Sequence, residues 1–421
     1  MKESNTMQTV PASLTVTRDN INPSAKDMNV GISTTRILSV DAYRGFVMLL
    51  MMGEVLSLSA VAKNLPGNKF WQFLSFHQSH VDWIWLSLHD MIQPSFSFLV
   101  GVVVLFSIDS RKRRGSTTGA LIRHTIVRSI ILICLGIFLR SMHSTQTYFT
   151  FEDTLSQIGL GYTFLVLLTF FSQRVQIIFL IILLTGYWAA FAFYPLPGGG
   201  FDYSSAGVAA DWPYNLHGFA AHWNKNTNLA WAFDRWFLNL FPRENKFRNN
   251  SGGYATLSFI PTLGTMILGL FAGNLLKSGK TGREKVKLLL MVGIALVILG
   301  VILHVTGINP VVKRIWTPAW TILSGGICFL FLAFFYEVID VAHKTKWSFL
   351  FLVVGANSIV AYVLADGFSS FIIQSLYIHL GAQYDLVWGP AYATLVKGAI
   401  VLCLEWLILY WMYRKKVFIK I

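Results

Sequence analysis

The residues best equipped for chemistry in this chain stand at the mouths of apolar runs. The stretch HVDWIWLSLHDMIQPSFSFLVG, residues 80–101, gathers His80, Asp82, His89 and Asp90 directly ahead of a segment without charge. Histidine is the side chain whose proton affinity lies nearest neutral pH. A carboxylate on one ring nitrogen fixes the tautomer and strengthens the other nitrogen as a base. His80 and Asp90 are the candidates for such a pair. His89, adjacent to Asp90, is expected on a different helix face. Glu54 follows a largely apolar stretch near the outer end of the first run, where a carboxylate protonates, finds a partner or faces a cavity. Asp41 and Arg44 share a helix face by their spacing and can pair. Asn357 and Asp366 lie in a later apolar run, where they either serve packing or line a polar cavity. His77, His80 and His89 fit no zinc spacing and lack a fourth ligand, so no metal is expected.

The elements that carry these residues belong to a membrane. Of 421 residues, 54% are hydrophobic and 13% charged, and the mean hydropathy is +0.55. A soluble chain would carry roughly a quarter charged residues. The fold class expected is all-α and polytopic, with about ten transmembrane helices near 40–60, 90–109, 122–140, 155–172, 175–194, 255–276, 286–305, 317–338, 348–366 and 391–413. The apolar piece 368–380 is short for a crossing and is expected to be re-entrant or interfacial. Clusters at Arg111–Arg114, Lys277–Lys287, Lys344–Lys346 and Arg414–Lys416 fall on one side in this count, together with both termini; short basic loops stay in the cytoplasm. That pattern explains the net charge of +14 without nucleic acid. Residues 1–35 read as a flexible polar tail, 36–416 as the membrane domain, and 417–421 as a C-terminal tail. The long outer loop 195–254 carries Trp212, Trp223, Trp231 and Trp236 and is expected to lie at the headgroup layer or to cover a cavity. Cys134, Cys328 and Cys403 each sit inside apolar runs, as small buried hydrophobes do. There is no phosphate-binding glycine loop and no nucleophile elbow, so any chemistry belongs to polar groups on membrane helices.

Several blocks, in order, resemble one family. SVDAYRGFVMLLMM looks like its first-span stretch with Asp41, Arg44 and Gly45. His80, Trp83, Leu86, Asp90, Met91, Ile92, Pro94, Phe96, Phe98 and Gly101 fill its pattern H-x-x-W-x-x-[LF]-x-x-x-D-[LM]-[IV]-x-P-x-F-x-F-[IL]-x-G. TLSQIGLGY, TLSFIPTLGTMILGLFAG, VVKRIWTPAWTILSGG and GANSIVAYVL resemble later blocks. The family is that of the heparan-alpha-glucosaminide N-acetyltransferases, with its bacterial relatives, and the likeness covers about residues 36–415. The chain departs from the animal pattern at Glu54 and Gln157.

The resemblance implies acetyl transfer across a membrane, from cytosolic acetyl-CoA to an amino sugar on the outer side. It implies a lipid bilayer as the setting, the bacterial inner membrane as the location, and a homodimer. His80 falls on the family's active-site histidine and Asp90 on the acidic residue of the same motif. With this reading His80, Asp90 and Glu54 are the expected catalytic residues. Arg44, Arg111, Arg113 and Arg114 are expected to meet the phosphates of acetyl-CoA, and Asp41, Trp83 and Asn357 to contact substrate. A proton-coupled secondary transporter of an amino sugar is the alternative that membrane Glu, His and Asp residues also suit, although no internal repeat is evident.

Overall fold

The computed structural model describes residues 37–142 and 144–419. The tail expected over 1–35 therefore lies outside the described residues, as do 420 and 421. Among the described residues the architecture is all-α. The one extended pairing is an isolated antiparallel bridge between Ile84 and Val312.

The helices are α1 (Leu38–Met52), α2 (Leu58–Asn64), α3 (Lys69–Gln78), α4 (Ile92–Arg113), α5 (Thr118–Ser141), α6 (Thr154–Leu168), α7 (Gln173–Ala192), α8 (Leu229–Phe237), α9 (Phe259–Lys277), α10 (Gly282–Val305), α11 (Pro318–Phe335), α12 (Phe349–Ala356), α13 (Ser358–Val363), α14 (Ser369–Leu380) and α15 (Ala393–Arg414). Their starts follow the capping residues in the sequence. Asp153 accepts from Leu155 and Ser156 N–H at α6, Thr117 caps α5, Thr281 and Glu284 form a capping box at α10, and Thr317 with Pro318 opens α11.

Eight helices among the described residues are long and apolar enough to cross a membrane, and nine if the bent pair at the first run counts as one. That differs from the expected ten in three places. The first run does not continue straight to 60: it bends by 41° where Gly53–Leu56 tightens to a 3-10 turn and Ser57 adopts φ 48°. The run expected over 155–172 gives only the 15-residue α6. The last difference concerns 348–380. The break falls at Asn357, not at Gly367, and Ser358–Leu380 forms a 23-residue helix with a π-turn at Leu364–Phe368. The piece 368–380 is therefore the end of a helix of crossing length, and 346–356 is the short element. Hydropathy has no means of locating this break, because Asn357 is one amide in an otherwise apolar run.

α9 forms the centre, with 72% of its apolar window buried, whereas α10 buries 17% and turns most of its surface outward. α9 lies against α4 at backbone contact. A Cβ at Gly101 would land on the Met266 carbonyl oxygen, and one at Gly269 on the Phe98 carbonyl oxygen. Without a hydrophobic drive between helices in lipid, such close approach is what holds two of them together. The same device joins α1 to α12 through Gly45 and Gly355. Gly101→Val is expected to destabilise the protein by about 3 kcal/mol or more, since overpacking here meets backbone that has nowhere to move. Gly119→Ala, where nothing stands within 4 Å, is the control. Thermal denaturation in detergent checks it, and equal melting of the two variants would contradict the packing account.

Candidate active site

α4 is held against α9 at Phe98 and Gly101, and Asp90 stands in the short His89–Met91 turn that leads into it. His80 reaches Asp90 from the loop before. α3 ends at Gln78, whose side chain bridges the bend of the first run: its Nε2 donates to Gly53 O at 2.7 Å and its Oε1 accepts from Leu58 N at 2.7 Å. The following loop is pinned on the other side. Trp85 N donates to Val311 O at 3.0 Å, beside the Ile84–Val312 bridge, with Trp85 itself at φ 80°. This pairing of two short extended pieces lays Lys313 against His80.

The result is a three-membered cluster. His80 Nδ1 lies 2.8 Å from Asp90 Oδ1, Lys313 Nζ lies 3.0 Å from His80 Nδ1, and Lys313 Nζ lies 3.1 Å from Asp90 Oδ1. Asp90 Oδ2 accepts from Ser87 N at 3.0 Å and Val81 N at 3.3 Å, so its orientation is held by backbone. The Asp90 and Lys313 side chains are 1% and 5% exposed, while that of His80 is 37% exposed. An ion pair this deep is stable only with its lone pairs satisfied, as those of Asp90 are.

The geometry decides the tautomer. Lys313 and Asp90 both face Nδ1, and only Asp90 accepts. The ring proton belongs on Nδ1, pointing at Asp90, and the Lys313 ammonium donates a hydrogen bond to the same carboxylate. Nε2 then carries the lone pair. Burial pushes His80 below the usual imidazole range; the Asp90 hydrogen bond works against that, and the Lys313 and Arg314 charges work with it. His80 is thus a neutral imidazole at pH 7 with one partly exposed basic nitrogen.

A second pair stands beside this cluster. The His80 and His89 rings lie 4.6 Å apart, and His89 Nε2 is 3.7 Å from Glu54 Oε2. His89 is buried, whereas the Glu54 side chain is 69% exposed. His80 and Asp90 are thus in direct contact, and Glu54 is connected to them through His89. Lys313 and Arg314 were not anticipated. Arg314 donates to Val81 O at 3.0 Å and stacks over the Tyr254 ring at 4.8 Å. Their signal lies in VVKRIWTPAW, two cations at the start of an apolar helix, but a separation of 233 residues from His80 hides the contact.

The other expected residues lie elsewhere. Trp83 is fully buried: its indole donates to Trp223 O at 3.1 Å and its ring packs on Trp212, so it anchors the 195–254 loop and presents no face to a substrate. That loop carries α8 and packs through Trp223 and Ala230 on Tyr187, Phe191 and Ile315, which makes it part of the protein's core. Asn357 is 1% exposed; its Nδ2 donates to Val417 O and its Oδ1 accepts from Ile419 N. Its amide ties down the C-terminal segment. Asp366 is exposed within the π-turn. Asp41 and Arg44 pair at 3.4 Å on α1. Arg111, Arg113 and Arg114 end α4, a helix of 22 residues, and so lie about 33 Å from Asp90 along its axis. Among the described residues no group of three His, Cys, Asp or Glu side chains is placed to hold a metal ion.

Fold and site together define an all-helical, multi-pass membrane protein that carries a histidine–aspartate–lysine cluster at one end of its bundle. No family model matches the chain. It is similar to heparan-alpha-glucosaminide N-acetyltransferase of Homo sapiens, at 25% identity over 428 residues, covering 92% of this chain and 60% of the human protein. It is similar to the enzyme of the same name from Mus musculus at 24% over 433 residues, covering 92% and 61%. The chain thus spans about three fifths of the length of the curated relatives it matches.

Proposed function

We propose that this protein is an acetyl-CoA-dependent N-acetyltransferase that passes an acetyl group to the amino group of a glucosamine-type sugar at the His80 end of the bundle. The observation that carries this reading is the basic Nε2 of His80, kept neutral by burial and oriented by Asp90. Two relatives named for N-acetyl transfer to a glucosaminide support it.

In the direct route, the amine nitrogen attacks the thioester carbonyl carbon. The new C–N bond forms, the C–S bond breaks, and the amine proton passes through His80 Nε2 to the departing thiolate. In the two-step route, Nε2 attacks the thioester carbon and the C–S bond breaks to release the thiolate; the amine then attacks the acetyl carbon, the bond to Nε2 breaks, and the amine's proton ends on the thiolate, which restores the neutral ring. In both, Asp90 orients the ring and Lys313 keeps Asp90 ionised. Glu54, exposed and adjacent to His89, binds the sugar ammonium and accepts its proton before attack. The reading assigns the donor's phosphates to Arg44 on α1; the exposed Arg113 and Arg114, about 33 Å from Asp90 along α4, lie beyond the reach of a donor whose thioester is at His80 and mark the opposite end. It also makes that end cytoplasmic, with both termini there, in a bacterial inner membrane.

Purified protein supplied with labelled acetyl-CoA and glucosamine is expected to yield labelled N-acetylglucosamine. Uptake of sugar into proteoliposomes without acetyl-CoA, and no labelled product, would overturn the enzyme reading in favour of a transporter.

A further inference from the structure

The α4–α5 hairpin, at the end of α4 remote from Asp90, contains a cleft of about 340 Å³ lined by Arg111, Ser116, Leu121, Arg123, His124 and Val127. Arg111 Nη2 lies 2.7 Å from His124 Nε2. A guanidinium only donates, so His124 accepts at Nε2 and the ring is neutral. Arg111 is thereby turned into the cleft and held there. The charge is one-sided: Arg111, Lys112, Arg113, Arg114 and Arg123 surround the hairpin, and its one acid, Asp109, is already joined to Lys277 of α9. No carboxylate of the described residues pairs with Arg111 or Arg123. Ser116 and Ala120 line the cleft at the N-terminal turn of α5, whose dipole adds to the positive potential.

The wall of the cleft is apolar and continues along the helix. Ile126, Val127, Ile130 and Ile131 are 43%, 49%, 54% and 42% exposed. In a bundle of membrane-crossing helices, an apolar exposed face meets acyl chains. Two arginines and a serine hydroxyl at the base of such a face match one kind of molecule, a phosphate carrying hydrocarbon.

We propose that the Arg111–Arg123–His124 cleft holds the headgroup phosphate of an anionic phospholipid, whose acyl chain runs along Val127 and Ile130. Arginine suits the task because its planar fork pairs with two phosphate oxygens at once. A soluble phosphate ester offers the same anion, and the sequence pattern expected coenzyme A at Arg111. The exposed apolar wall favours the lipid, since a nucleotide gains nothing from it. The proposal stands independently of the acetyl-transfer reading, because it is read out by lipid binding alone.

The full-length protein, purified from phosphatidylcholine vesicles doped with phosphatidylglycerol, is expected to retain phosphatidylglycerol through detergent washing, as seen by native mass spectrometry. The Arg111→Gln/Arg123→Gln variant is expected to bind it at least about tenfold more weakly, the loss of charge-assisted hydrogen bonds. Its melting temperature in pure phosphatidylcholine should match the parent, which separates loss of the site from loss of the fold. Equal retention by parent and variant would overturn the proposal. So would displacement of phosphatidylglycerol by coenzyme A, with a raised KM for acetyl-CoA in the variant, which would assign the cleft to the soluble donor.

Discussion

His80→Ala is expected to slow acetyl transfer by about 10²–10⁴-fold, the range for a positioned general base, and by more in the two-step route. The effect should be catalytic, not structural. The His80 side chain is 37% exposed, and its removal leaves the Lys313–Asp90 pair at 3.1 Å intact. The variant's melting temperature should therefore stay near the parent's while initial rates of labelled product fall. Incubation of the parent with labelled acetyl-CoA alone then divides the two routes. Label on His80, found by peptide mapping, identifies the acetyl-imidazole. Its absence, with transfer intact, identifies direct attack. An undiminished rate in His80→Ala would end the proposal that this ring is the base.

Lys313→Met is expected to act on stability and on pH dependence together. Breaking a buried ion pair by removing one partner costs about 3–5 kcal/mol, because the remaining charge is left uncompensated. Lys313→Met/Asp90→Asn should recover part of that loss, as no net charge stays buried. The same single substitution changes His80. Lys313 is one of the influences that hold His80 below the ordinary imidazole range, and Asp90 is the one that raises it. With Lys313 gone, burial and Arg314 still lower His80 but one opposing charge is removed, so His80 gains protons at higher pH than in the parent. The acid limb of the rate profile, below about pH 6.5 in the parent, is expected to move upward. The sign for stability follows from the same shift. A histidine whose folded value is depressed leaves stability unaffected above the unfolded value and lowers it as pH falls from there through the folded value, because the unfolded chain binds the extra proton. The parent should lose stability on acidification through that window, and Lys313→Met should lose less. A pH–rate profile unchanged by Lys313→Met would contradict the role given to this cation.

The amino-acid sequence by itself determined the class. Long windows without charge have one home, and caps such as Asp153, Thr281 and Thr317 mark where helices begin. It also determined the local half of the site, because His80 and Asp90 are separated by one loop and one helix start, and a pattern within ten residues survives folding. Three things needed the tertiary structure. The break at Asn357 is set by bonds to Val417 and Ile419, sixty residues on, which no local hydropathy records. Trp83 reads as a site residue from its place in the motif, yet the fold turns it inward onto Trp223 and Trp212. Lys313 reads as one more basic residue beside a membrane helix. Only the pairing of Trp85 with Val311 brings its ammonium to His80 and Asp90, across 233 residues. Hydrophobicity and capping act over a few turns of chain and are legible one residue at a time. A buried charge is decided by what packs around it, and that is a property of the assembled bundle alone.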